Sequence, residues 1–142
     1  MIIPSIKRTD PDKVFTVIRN DEATLSMTDG DLVIWVTAAS KNYGVDCLMS
    51  TGAAQVICAG IISGDNIAPD YYGLCQIYGY HSNVKVDDTG IAAGGTAISS
   101  VTSRKVGVGA AADDPSARLG VVLVATSGGA GLKRLGLMIQ KM

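Results

Sequence analysis

Glycine placed inside apolar, β-branched runs constrains this chain more than any other feature. Two stretches show it best: Tyr72-Gly73-Leu74-Cys75-Gln76-Ile77-Tyr78-Gly79-Tyr80, and Arg118-Leu119-Gly120-Val121-Val122-Leu123-Val124-Ala125-Thr126. Both read as buried strands, and neither carries a group suited to acid, base or nucleophilic work. A glycine in a strand interior marks a bulge or a tight bend, so Gly73, Gly79, Gly120 and Gly136 suggest a sheet that curls to close. The chain has 17 glycines and few helical patterns. The expected fold is therefore all-β, a small antiparallel β-sandwich or partly closed barrel.

Other runs support that class. Val14–Arg19 is β-branched and aromatic and stops at Asn20-Asp21. After the turn signal Thr28-Asp29-Gly30-Asp31 comes Leu32–Thr37, apolar on both faces as in a strand covered on both sides. Ala53–Ile62 has the same character, and a short Asn83–Val86 strand follows Tyr72–Tyr80. The stretch 87–117 is rich in small residues and reads as flexible. Leu119–Thr126 and Leu132–Gln140 read as a last hairpin. A helix over 132–140 would carry Gly136 at its middle, at a cost of about 1 kcal/mol. Short helices at Pro69–Tyr72 or Pro115–Arg118 would leave the class unchanged.

With 142 residues the chain makes one domain, residues 14–142, preceded by an extended N-terminal arm, residues 1–13. By surface scaling, folding buries roughly two-thirds of the unfolded chain's area. Charged residues are only 18%, against about 25% in soluble domains. Apolar surface is then left for protein contacts, and a homo-oligomer or a permanent assembly partner is expected. The arm carries Pro4 and Pro11 with Lys7, Arg8, Asp10 and Asp12, yet Ile2, Ile3 and Ile6 are too apolar for an idle tail. It can lie along a neighbour's sheet edge or fray as a terminus.

A net charge of −1 argues against a nucleic-acid partner. Residues 1–103 hold six Lys/Arg against eleven Asp/Glu, and residues 104–142 hold six against two. This asymmetry fits complementary neighbouring subunits or a basic solvated face. The start lacks an apolar core of signal-peptide length, and no apolar run reaches the about 18 residues of a membrane helix, so no membrane partner is expected. Cys47, Cys58 and Cys75 are odd in number and widely spaced. They read as small buried hydrophobes, neither disulfides nor zinc ligands.

Motifs with chemical potential are weak. Ser127-Gly128-Gly129-Ala130-Gly131-Leu132-Lys133 follows a strand as a phosphate loop would, but Leu132 separates glycine from lysine and no Ser or Thr follows. It reads as a hairpin turn. His81 is the single histidine and reads as a strand-end residue without a role. Cys75 lies on its strand face but about 20 Å along. Asp29/Asp31, Asp87/Asp88 and Asp113/Asp114 are explained by turn chemistry, with an ion between subunits as the alternative. Catalytic, cofactor and metal sites are therefore not expected, and the chain is not expected to be an enzyme. Trp35 reads as core or as an interface anchor. Tyr71, Tyr72, Tyr78 and Tyr80 read as a contact face. With Ile2, Ile3 and Ile6 of the arm, these are the candidate interface residues.

The order of elements resembles a known family. It runs Ile18-Arg19-Asn20-Asp21, then Gly30-Asp31-Leu32-Val33 with Trp35, then Tyr72-Gly73-Leu74-Cys75-Gln76-Ile77-Tyr78-Gly79. Val84-Lys85-Val86, Ala92-Ala93-Gly94-Gly95-Thr96 and Leu119-Gly120-Val121-Val122 complete it. This layout is similar to the head decoration, or cement, proteins of tailed bacteriophages. The resemblance implies a virion protein on the outside of the expanded capsid, made in the host cytoplasm. It implies bridging of major capsid subunits by small oligomers, often trimers. The competing expectations are another virion β-module from tail, baseplate or fibre, and a small-ligand barrel with a pocket near His81, Tyr78 and Cys75.

Overall fold

The computed structural model describes residues 13–38, 41–42, 44–50, 58–86, 96–99, 106–108, 118–124 and 133–140. These form nine strands and no helix: β1 (Val14–Asn20), β2 (Leu32–Trp35), β3 (Asp46–Met49), β4 (Cys58–Ile62), β5 (Tyr72–Val86), β6 (Thr96–Ser99), β7 (Val106–Val108), β8 (Arg118–Val124) and β9 (Lys133–Gln140). The expected all-β class is observed. The arm, with Ile2, Ile3 and Ile6, lies outside the described residues apart from Lys13.

Strand pairing runs β1-β3-β2-β4-β5-β7-β6-β8-β9, with further pairings β1–β5 and β5–β9. Those two extra pairings close the sheet twice. One five-strand ring is β1-β3-β2-β4-β5, the other β5-β7-β6-β8-β9, and β5 belongs to both. Closure removes the free edges that would otherwise template aggregation. All pairings are antiparallel except β1–β3 and β5–β7, so the sheet is mixed where an antiparallel one was expected.

The shared strand explains two sequence features. Tyr72–Val86 is one strand of 15 residues, where two shorter strands were expected. Its register shift between His81 and Val84 absorbs the polar break that separates them in the sequence. Near Tyr78, β5 exchanges β1 and β4 for β9. There Gln76, fully buried, donates from Nε2 to the Tyr78 and Tyr80 carbonyls at 3.1 and 3.2 Å. Gly79 supplies the left-handed backbone of this crossing at φ 95°.

The two rings repeat one another in register. In the first, Leu32, Val33 and Ile34 pair with Ile61, Gly60 and Cys58, skipping one residue. In the second, Thr96, Ala97 and Ile98 pair with Val121, Gly120 and Arg118, skipping one residue at the same step. Ile61↔Gln76 and Ile62↔Cys75 recur as Val121↔Met138 and Val122↔Leu137. Ile18↔Gly73 and Arg19↔Tyr72 recur as Val84↔Leu135 and Lys85↔Arg134. Both parallel pairings fall at equivalent places. The chain is thus a tandem repeat of one five-strand unit, with β5 closing the first unit and opening the second.

The described residues form two apolar clusters. Ile18, Met27, Val33, Cys47, Met49, Ala59, Ile62, Ile67 and Cys75 form the interior of the first ring. Leu32, Ile34, Cys58 and Ile61 point the other way and meet Val84, Val86, Leu119 and Val122 of the second ring. β2 and β4 are therefore covered on both sides, as their unbroken apolar runs require. The three cysteines are buried and unbridged, and burial pushes the Cys75 thiol up to about 12.

Polar ties reinforce the junction. The backbone N–H of Lys85 donates to the Gly30 carbonyl at 3.0 Å. Lys85 Nζ reaches the buried Asp31 Oδ1 at 2.7 Å and bonds Thr28 Oγ1. Gly30 has φ 85°, and a Cβ there would run into the Asn83 carbonyl. The β1–β2 loop of the first ring is thereby pinned to the strand that opens the second.

Candidate docking surface

The polar constellations inside the molecule are structural. His81 was expected at a strand end without a role; it lies within β5, is 5% exposed and is hydrogen-bonded. Its Nε2 is 3.2 Å from the Ile62 carbonyl, and the Asn83 backbone N–H donates to its Nδ1 at 3.1 Å. That pattern defines the neutral tautomer with the proton on Nε2. Burial lowers its pKa, with Asp29 at 3.5 Å opposing. Asp29 in turn accepts from Asn83 Nδ2 at 2.6 Å and from the Gly64 N–H at 3.1 Å. Asp31 caps its own turn through the Thr28 N–H. Turn chemistry accounts for the Asp31 contact with Thr28, but Asp31 also pairs with Lys85 and Asp29 is held by residues distant in sequence.

A second network ties β1 to β3. Arg19 makes a bidentate contact with buried Asp46, Nε to Oδ1 at 2.8 Å and Nη2 to Oδ2 at 2.9 Å. Asp46 also accepts from the Asn42 N–H at 2.9 Å. Arg19 holds the Asp46 carboxyl below the usual carboxylate range. With every charge in this network engaged by a fixed partner, its role is to set the parallel register. Among the described residues no group of three or more His, Cys, Asp or Glu could hold a metal ion.

The outer face of β1 and β5 is different. Val17 and Leu74 are direct cross-strand partners and are 55% and 47% exposed. Phe15 and Val14 extend the patch along β1, and Tyr72 and Tyr78 extend it along β5. Tyr71, just outside the strand, is 69% exposed. This is a contiguous apolar face on a sheet, of the kind that marks a protein contact. No periodicity argument brought Phe15, Val17 and Leu74 to notice, because Val17 and Leu74 each precede a buried residue as in any half-buried strand, and Phe15 sits in the exposed first half of β1. The signal was available only in their pairing.

The expected contact residues divide accordingly. Tyr72 and Tyr78 are exposed and lie on this face, Tyr71 is exposed just before β5, and Tyr80 is half-buried. Trp35 is half-buried and packs against the core of the first ring. Cys75, expected to line a pocket with His81 and Tyr78, is fully buried in the first core.

No protein-family model and no curated protein matches the chain in sequence. In structure it is similar to the crystal structure of the head fiber gp8.5 N base in bacteriophage phi29, with a TM-score of 0.51 at 13% identity. The match covers 92% of this chain and 98% of that one. The likeness is one of fold, and it takes in both rings.

Proposed function

We propose that the chain is a structural protein of a tailed-phage particle, bound to the outside of the head as a decoration protein. In that role it bridges major capsid subunits and stabilises the expanded shell, and it performs no catalysis. The observation that supports this most is the end-to-end fold likeness to the base of a phage head fibre. The apolar face of Phe15 and Val17, continuous with the chain that leads into the arm, is the surface offered to the shell. Ile2, Ile3 and Ile6 of the arm are offered as further apolar contacts. Many modest contacts of this kind, multiplied over a symmetric shell, give firm attachment through avidity.

The same likeness favours a second reading, in which the chain is the base of a head appendage. Both readings place it on the head surface, and the number of copies separates them. Cross-linking of intact particles tests what they share. Lysine-directed reagents should join Lys13, close to the docking face, to the major capsid protein. Cross-links confined to tail or baseplate proteins would contradict the proposal.

A further inference from the structure

His81 stands where the two five-strand rings are fastened together, and its hydrogen bonds suit one protonation state only. The register of β5 with β9 shifts between His81 and Val84, so Ser82 and Asn83 form an irregular step. Nδ1 of His81 accepts from the Asn83 N–H at 3.1 Å, and Nε2 lies 3.2 Å from the Ile62 carbonyl. That carbonyl also accepts from the Gly30 N–H at 2.9 Å. Asn83 Nδ2 donates to Asp29 Oδ2 at 2.6 Å, and the Asn83 carbonyl packs against Gly30. The imidazole thus braces the end of β4, the Thr28–Asp31 turn of the first ring and the strand that opens the second.

A neutral imidazole has one donor and one acceptor, and this site uses both. An imidazolium has two donors. Its Nδ1–H would point at the Asn83 N–H, donor against donor, and that bond would be lost. A replacement partner already stands close by. Asp29 Oδ1 is 3.5 Å from Nε2, and the other oxygen of the same carboxylate holds Asn83. The imidazolium, charged where the Asn83 amide is not, competes with it for that carboxylate.

Other charges around the imidazole, among the described residues, do not supply a second acceptor. Lys13, ahead of β1, opposes protonation, as burial does more strongly. Lys85, on β5 itself, is held by Asp31. β4 contributes no charged residue. On β9 the register partner of His81 is Leu137, while Arg134 and Lys133 pair farther along with Lys85 and Val86.

We infer that His81 is a proton-operated latch between the two rings: taking up a proton, it exchanges the Asn83 bonds for a pairing with Asp29 and loosens the Thr28–Asp31 turn from β5. The next contact along is the Lys85 N–H, which donates to the Gly30 carbonyl at 3.0 Å. It loosens with the turn. The apolar contact of Leu32 and Ile61 with Val84 and Leu119 stays in place, so the opening is local. The latch goes beyond the particle-binding proposal and is tested without particles.

Hydrogen exchange on the intact chain, followed residue by residue by NMR at pH 7.5 and pH 5, tests it. At pH 7.5 the imidazole should be the tautomer with its proton on Nε2. At pH 5 the protection of the Lys85 amide should fall about tenfold, the effect of one pKa unit between latched and open states. That fall is counted beyond any change at the Arg19 amide, which is bonded to the Val45 carbonyl at the β1–β3 pairing and reports overall stability. His81→Gln offers a donor and an acceptor but takes no proton, so its Lys85 amide should stay protected. Asp29→Asn keeps an acceptor for Asn83 and removes the charge that receives the imidazolium, so the loss should move to lower pH. A Lys85 amide that loses no more protection than Arg19, or a loss that persists in His81→Gln, would overturn the inference. So would a proton on Nδ1 at pH 7.5, or a loss at unchanged pH in Asp29→Asn.

Discussion

Val17 and Leu74 face one another directly across β1 and β5, and both turn about half of their surface to solvent. A cross-strand aliphatic pair of this kind stabilises a sheet modestly, yet here it also forms the centre of an apolar face. Replacing Phe15 and Val17 together with Thr puts a strand-compatible β-branched residue at both positions. The stability change should be about 1 kcal/mol or less, while particle binding falls more than about tenfold. Denaturation and co-sedimentation with particles check the two effects separately.

Gly30 is a tight steric point between the rings. Its positive φ and its approach to the Asn83 carbonyl leave no room for a methyl group. Gly30→Ala should destabilise the protein by about 2–4 kcal/mol. A urea titration reads this directly.

His81 should make stability depend on pH in a defined window. Its buried, doubly bonded ring has a pKa below the ordinary 6.5. Above pH 6.5 the ring is neutral in folded and unfolded chains alike, and the folded state is at full stability. As pH falls below 6.5 the unfolded chain takes up the proton first, so stability declines until the lower folded-state pKa is passed. Asp29 partly offsets this and Lys13 reinforces it. The urea midpoint should therefore drop between pH 7.5 and pH 5, and His81→Gln should flatten that drop.

Cys47, Cys58 and Cys75 should resist a thiol reagent in the native protein and react together on unfolding. All three are buried, and burial raises the Cys47 and Cys75 thiols far from the thiolate form that reacts. Labelling followed by intact mass measures this.

Much of the first ring was legible in the sequence. Leu32–Thr37 and the end of Ala53–Ile62 are apolar on both faces because β2 and β4 are covered by a core on each side. The glycines marked bends correctly at Gly79. Other features depend on residues distant in sequence. β3 carries a buried Asp46 that reads as a loop residue until Arg19 is placed against it. His81 gains its role from Ile62 and Asp29. β6 and β7 lie in the stretch 87–117, whose small residues suggested flexibility alone. The tandem repeat left little trace because register is stored in backbone hydrogen bonds. Gly60 recurs as Gly120 and Ile34 as Ile98, but Leu32 recurs as Thr96 and Gln76 as Met138.

The central claim is a place on the phage head, and counting copies tests it most directly. Quantitative mass spectrometry of purified particles should find this chain alongside the major capsid protein. A number in the hundreds is predicted for a decoration protein, and a few dozen for the base of a head appendage. Absence from purified particles would contradict both.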